Sequence, residues 1–161
     1  MNHAIDKKIY FELAIQEAKK GIQEGDGAPF GACIVSGNQV IALSHDTVLK
    51  DNDATCHAEV NAIRLASKYL KSYRLDSCDM FCTSEPCPMC LAAIHWAGIR
   101  TCYFIADSAV AGAYGFDDKM LYDELAKPFE KRHLPVVQDS TLIKQVETVF
   151  IEWKKKELPV C

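Results

Sequence analysis

Several things are scarce in this chain, and each scarcity closes a class of function. Cations do not outnumber anions: 18 lysines and arginines stand against 22 aspartates and glutamates, a net charge of −4. A nucleic-acid partner is therefore not expected, because phosphate binding needs clustered basic residues. The small basic run Lys154-Lys155-Lys156 reads as a solvated helix end. No apolar run approaches the ~20 residues of a membrane span. The opening stretch MNHAIDKKIYFELA breaks its apolar positions with charges, unlike the continuous core of an export signal. Repeats and low-complexity stretches are lacking too. These absences together predict a soluble cytoplasmic protein that does not engage a membrane.

Cysteine, by contrast, is plentiful: eight residues, at positions 33, 56, 78, 82, 87, 90, 102 and 161. Without an export signal they read as reduced thiols rather than a disulfide framework. Cys33, Cys82 and Cys102 fall in strand-like apolar runs, where cysteine behaves as a small hydrophobe. Cys87 and Cys90 stand apart. A length of 161 residues with 49% hydrophobic and 25% charged content is ordinary for one globular domain. The whole chain, 1–161, is expected to form a single domain with its core in about 5–126. The sparsely apolar segment of about 127–161 is expected to wrap that core.

The order of elements predicts the architecture. Ile5, Ile9, Leu13, Ala14, Ala18 and Ile22 recur at helical spacing over Asp6 to Glu24, and Gly25-Asp26-Gly27 ends that helix. Two apolar runs, 30–35 and 39–43, flank Gly37-Asn38 as a β-hairpin. A polar stretch, 44–55, follows. Val60, Ile63, Ala66 and Leu70 mark a helix over 56–70, with a strand over 79–83, a helix over 87–97 and a strand over 101–106. Further on, 119–125 and 143–156 read as helices, and Val136-Val137 as a short edge strand. A β-β-α-β-α-β order after an opening helix predicts the α/β class: a three-layer α/β/α sandwich around a mixed central sheet.

Chemistry concentrates in two short motifs, His57-Ala58-Glu59 and Pro86-Cys87-Pro88-Met89-Cys90. Cys87 and Cys90 are three apart, hence neighbours on one helical face. Pro88 suits the first helical position, where its missing N–H costs little. Cys87 then lies at the N-cap, where free backbone N–H groups favour thiolate. His57 and Glu59 would point roughly 200° apart inside a helix. They converge only at a helix start, for which Thr55 is the expected N-cap. Three ligands, His57, Cys87 and Cys90, leave a fourth position open, as in catalytic rather than structural zinc sites. One zinc per chain acidifies a bound water, and Glu59, not a ligand, is free to move its proton. Hydrolytic deamination of an amino-bearing sp² carbon is the expected reaction. A second Cys/His pair that would close a structural site is missing: His3, His45, His95 and His133 stand singly.

At these residues the chain resembles the cytidine deaminase-like superfamily, and within it the small bacterial-type guanine deaminases. The likeness includes Ala28-Pro29-Phe30-Gly31, Asn52 to Glu59, Ser84 to Cys90 and Gly115-Phe116-Asp117-Asp118. The last of these is the guanine-type feature. The resemblance implies that His57, Cys87 and Cys90 hold zinc and that Glu59 shuttles protons. It further implies that Phe30 lines the base pocket, that Asp117 reaches a purine, and that guanine becomes xanthine and ammonia. It implies a homodimer in which the C-terminal segment can be domain-swapped over the partner's site. Two features depart from the relatives. Asp46 stands where an Asn is usual, and it accepts where Asn both donates and accepts, so it favours a ring presenting N–H groups. Glu157 to Cys161 lacks an aromatic end. Other amino-heterocycles or nucleosides (guanosine, cytosine, pterin, triazine), tRNA adenosine and a non-catalytic zinc module are the competing readings.

Overall fold

A computed structural model describes residues 7–159 of the chain. The first helix, α1 (Lys7–Glu24), is followed by the hairpin β1 (Gly31–Ser36) and β2 (Gln39–His45). Next come α2 (Val48–Asp51), α3 (Ala58–Leu70), β3 (Cys78–Ser84), α4 (Pro88–Ala97) and β4 (Thr101–Ala106). Beyond the last strand lie α5 (Ser108–Ala113), α6 (Lys119–Leu125), a single 3₁₀ turn (Phe129–Lys131) and α7 (Ile143–Lys155). The four strands form one sheet in the order β2-β1-β3-β4. β1 pairs antiparallel with both β2 and β3, whereas β3 and β4 run parallel. The mixed sheet is thus as expected.

Strand alternation distributes the layers. On one face Ala32, Ile34, Met80 and Cys82 pack with Ala58, Ala62 and Ala66 of α3 and Ile94 and Ala97 of α4. On the other, Cys33, Val35 and Phe81 meet Tyr10 and Ala14 of α1. Phe81 is ringed by Tyr10, Phe11 and Tyr103, with centroids 5.1, 5.2 and 5.0 Å away. Helix, sheet and helix pair make three layers, the α/β/α sandwich.

Several local expectations need correction. The buried stripe of α1 is Tyr10, Ala14, Ala18 and Gly21, while Ile9 and Ile22 are exposed. Small residues let the helix approach the sheet closely, so the packed stripe is rotated from the one its large aliphatics mark. Ile5 and Asp6 lie outside the described residues. α3 begins at Ala58 rather than Cys56. The stretch 44–55 is not merely polar loop, since β2 runs on to His45 and α2 follows. Asp46, just past the end of β2, is fully buried. α5 had no counterpart in the sequence pattern. Val136 and Val137 form no strand and are exposed; a β-branched pair with no strand to pair against has nothing to hold it extended. The seven described cysteines are all free thiols, and Cys161 lies outside the described residues.

The chain divides into two compact units, 1–120 and 121–161, with the break inside α6. The layered core belongs to the first. Among the described residues of the second none is buried, and Phe129, Val137, Phe150 and Trp153 are all exposed.

Candidate metal centre and pocket

Two helix starts meet in the first unit. His57 is the N-cap of α3 and Cys87 the N-cap of α4, both extended, with ψ of 155° and 167°. His57 itself takes the position expected of Thr55, whose N–H and hydroxyl instead bond the Asp53 carboxylate at 2.8 and 2.7 Å. Pro88 opens α4 and Cys90 lies in its first turn. Because an N-cap residue points its side chain across the helix end, the imidazole and both sulfurs converge. His57 Nδ1 lies 3.6 Å from Cys87 Sγ and 3.6 Å from Cys90 Sγ.

That spacing tests the donor set for metal. A tetrahedral zinc at about 2.0–2.1 Å from nitrogen and about 2.3 Å from sulfur separates the two donors by about 3.6 Å. The separations match. The three donor atoms all lie within 4.8 Å of one another. Cys90 is buried behind, whereas His57, Cys87 and Glu59 line a cavity of about 490 Å³. Hydrogen bonding from Cys90 pulls the Cys87 thiol down to about 4 against the effect of burial, and His57 contributes. Cys90 is pushed up, first by its bond to Cys87 and then by burial. One thiolate therefore forms readily, while the second gives up its proton to an incoming cation.

Glu59, in the first turn of α3, is buried, and its Oε2 accepts from Cys90 Sγ at 3.4 Å. Burial holds its carboxyl above the usual range, with the Cys90 contact opposing. A carboxyl poised this way can both take and return a proton.

The rest of the cavity is acidic. Asp46, Glu85, Asp117 and Asp118 join Glu59 on its lining, and among the described residues no lysine or arginine does. Asp46 Oδ1 accepts from Ala28 N at 3.0 Å and Val48 N at 3.2 Å, which locks the carboxylate in place. Gly27 is required beside it, since any Cβ there would collide with that same oxygen. Phe30 stands edge-on to Phe116 with centroids 5.1 Å apart. Asp117 lies at the exposed rim, where it accepts from Lys119 N at 2.9 Å. All seven residues singled out in the sequence thus come together, six on the pocket lining and Cys90 behind it. Glu85 and Asp118, which spacing alone does not mark, also line the cavity and belong to the motifs quoted above. Burial raises the Asp118 carboxyl. His95 and His133 are exposed and outside the cluster.

Comparison with known proteins fits this geometry. Residues 5–106 match the cytidine and deoxycytidylate deaminase zinc-binding region. The chain belongs to this family. It is a zinc-dependent aminohydrolase, with a donor set that suits the metal. Guanine deaminase of Bacillus subtilis is 43% identical over 138 residues, 86% of each chain. A tRNA-specific adenosine deaminase of Agrobacterium fabrum is 42% identical over 108 residues, 67% of this chain and 70% of the relative. The crystal structure of the Bacillus subtilis guanine deaminase superposes with a TM-score of 0.86 at 41% identity. It covers 96% of this chain and 95% of that one.

Proposed function

We propose that this deaminase hydrolyses a free purine base, converting guanine and water to xanthine and ammonia. The observation that carries the reading is the acceptor carboxylate of Asp46 on the pocket lining. Its carboxylate is buried and has one oxygen committed to two backbone N–H groups. The other oxygen suits a ring edge rich in donors, as guanine's N1–H and 2-amino group are. The acidic side chains on the lining, with no lysine or arginine among them, disfavour a phosphate group inside the pocket. The 43% identity with a guanine deaminase supports the same substrate.

His57, Cys87 and Cys90 hold zinc in this reading. Bound zinc lowers the pKa of a coordinated water to about 7. Glu59 would take one proton from the attacking water and place it on a ring nitrogen, then take the second from the hydroxyl now on the ring carbon and pass it to the departing amine. Phe30 packs on the base, with Asp46 and Asp117 at its polar edge. Incubation of the zinc-loaded protein with guanine should yield equal amounts of xanthine and ammonia. Turnover of pterin, triazine or cytosine in place of guanine would refute the substrate while leaving the reaction class.

The protein is further read as a homodimer, with 1–161 acting as one domain whose tail wraps a core. The first unit leaves Trp96, Phe104 and Ile105 exposed, and the second exposes Phe129, Phe150 and Trp153. Exchange of C-terminal segments between two copies would cover apolar surface of this extent. Light scattering at micromolar concentration should return twice the chain mass. Free thiols fit a reducing cytoplasm, and no helix among the described residues is long and apolar enough to cross a membrane.

A further inference from the structure

One wall of the pocket hangs on a side chain that does not line it. His45, the last residue of β2, is buried, and both of its ring nitrogens meet carboxylates. Nδ1 is 3.0 Å from Glu17 Oε2 on α1, and Nε2 is 3.0 Å from Asp26 Oδ2 in the loop that follows. An ionised carboxylate only accepts, and a neutral imidazole carries a single N–H. Both contacts are attractive only when both nitrogens are protonated, so the geometry is that of an imidazolium. α1 keeps a slot for the ring: a Cβ on Gly21 would fall 2.7 Å from His45 Cδ2. The charged groups facing the ring or its partners are Glu17 and Glu24 from α1, Asp26 from the loop, and Lys50 from α2. Lys50 Nζ lies 2.7 Å from Asp26 Oδ2. Burial works against the charged ring, but the bonds to Asp26 and Glu17 outweigh it and raise its pKa.

What this clamp holds is the cradle of Asp46. The Asp26 carbonyl accepts the N–H groups of Leu49 and Lys50, both at 3.0 Å. Gly27 and Ala28, next in the chain, line the pocket, and Ala28 donates to Asp46. Asp46 is itself joined to His45 by a peptide bond. Fixing the His45 ring against Asp26 therefore sets the spacing between the 26–28 loop and the strand end that carries Asp46. On its other side the His45 carbonyl accepts from Asn61 Nδ2 at 3.2 Å, on the helix that His57 caps.

We propose that His45 is a positioning residue for the reaction, an imidazolium that holds Asp46 and the Gly27–Ala28 loop at the spacing a base requires. Loss of its second proton makes one carboxylate contact repulsive and loosens the loop. Substrate binding then weakens as pH rises, while the chemical step at Glu59 is untouched. The kinetic part rests on the deaminase reading above; the structural part does not.

The test uses the zinc-loaded full chain. In ¹⁵N-labelled protein both His45 ring nitrogens should carry protons at neutral pH, and the Ala28 amide should shift with the ring's own midpoint. Glu17→Gln keeps an acceptor of the same shape but removes its charge. It should lower that midpoint and, at a pH between the two midpoints, raise KM for guanine roughly tenfold. The value of kcat should change by less than about twofold. His45→Gln should show the raised KM without the pH dependence; if it does not fold, Glu17→Gln decides. An unchanged KM in Glu17→Gln despite a lowered midpoint overturns the proposal, as does an Ala28 amide that ignores the ring. If the natural protein makes no xanthine from guanine, the proposed substrate fails, and the Ala28 titration still decides the matter of His45.

Discussion

Two clusters of metal-type donors occur among the described residues, each built around one histidine, and they differ in nearly everything else. His57 meets two thiols at the converging starts of α3 and α4, with a cavity in front. His45 meets two carboxylates, and the Lys50 ammonium already sits on one of them. The first cluster has soft donors, no cation of its own and room for a ligand. The second has hard donors whose charge Lys50 and the His45 ring offset in part. A histidine with two ligand-like neighbours is thus a metal site only where the protein leaves the charge unanswered.

The largest expected effect breaks the first cluster outright. Chelation, or Cys90→Ala, should remove zinc from the purified protein and drop deaminase activity to background, both read by metal analysis and ammonia release. Glu59→Gln separates holding from using: zinc content should stay at one per chain while turnover falls about 10²–10⁴-fold. Asp46→Asn keeps the Oδ1 acceptor for Ala28 and Val48 but swaps the second oxygen for a donor. It should lower kcat/KM for guanine roughly 10–100-fold, the scale of one hydrogen bond to a charged group.

The second cluster answers to pH. Bonds from Lys50 and then His45 hold Asp26 below its ordinary 3.8, so its contribution to stability is present above that value. It is lost as pH falls through the lower folded value. His45 is raised above 6.5, so its contribution is complete below 6.5 and lost as pH rises through the folded value. Melting temperature measured against pH should therefore fall off on both sides of a plateau. The smallest effect sharpens the comparison most directly. Lys50→Met removes an exposed ammonium, so stability should drop only slightly. Added magnesium or calcium, which should not change the melting temperature of the zinc-loaded natural protein, should raise it in the zinc-loaded variant.

How much of this was legible in the sequence follows from how local each feature is. Ligand chemistry admits few residue types, so His57, Glu59, Cys87 and Cys90 stood out from spacing alone, and the helix start at Cys87 followed from Pro88. Thr55 misled because N-cap preference is a local statistic, whereas its hydroxyl found Asp53 and left the cap to His57. The face of α1 misled for a related reason: Ile9 and Ile22 draw the eye, but Ala14, Ala18 and Gly21 allow close packing. The His45 clamp joins residues 28 and 19 positions apart in the chain, and no periodicity encodes it. Asp46 departs from the relatives' usual Asn in the sequence itself, yet its burial and its two backbone donors exist only in the fold.

The absence of lysine and arginine from the pocket lining has a consequence beyond recognition. A base bearing a phosphate carries a charge that the carboxylates of the lining repel and no lysine or arginine there offsets. Phosphorylated and free bases then become two separate stocks. The cavity is built to admit the second in the presence of an excess of the first.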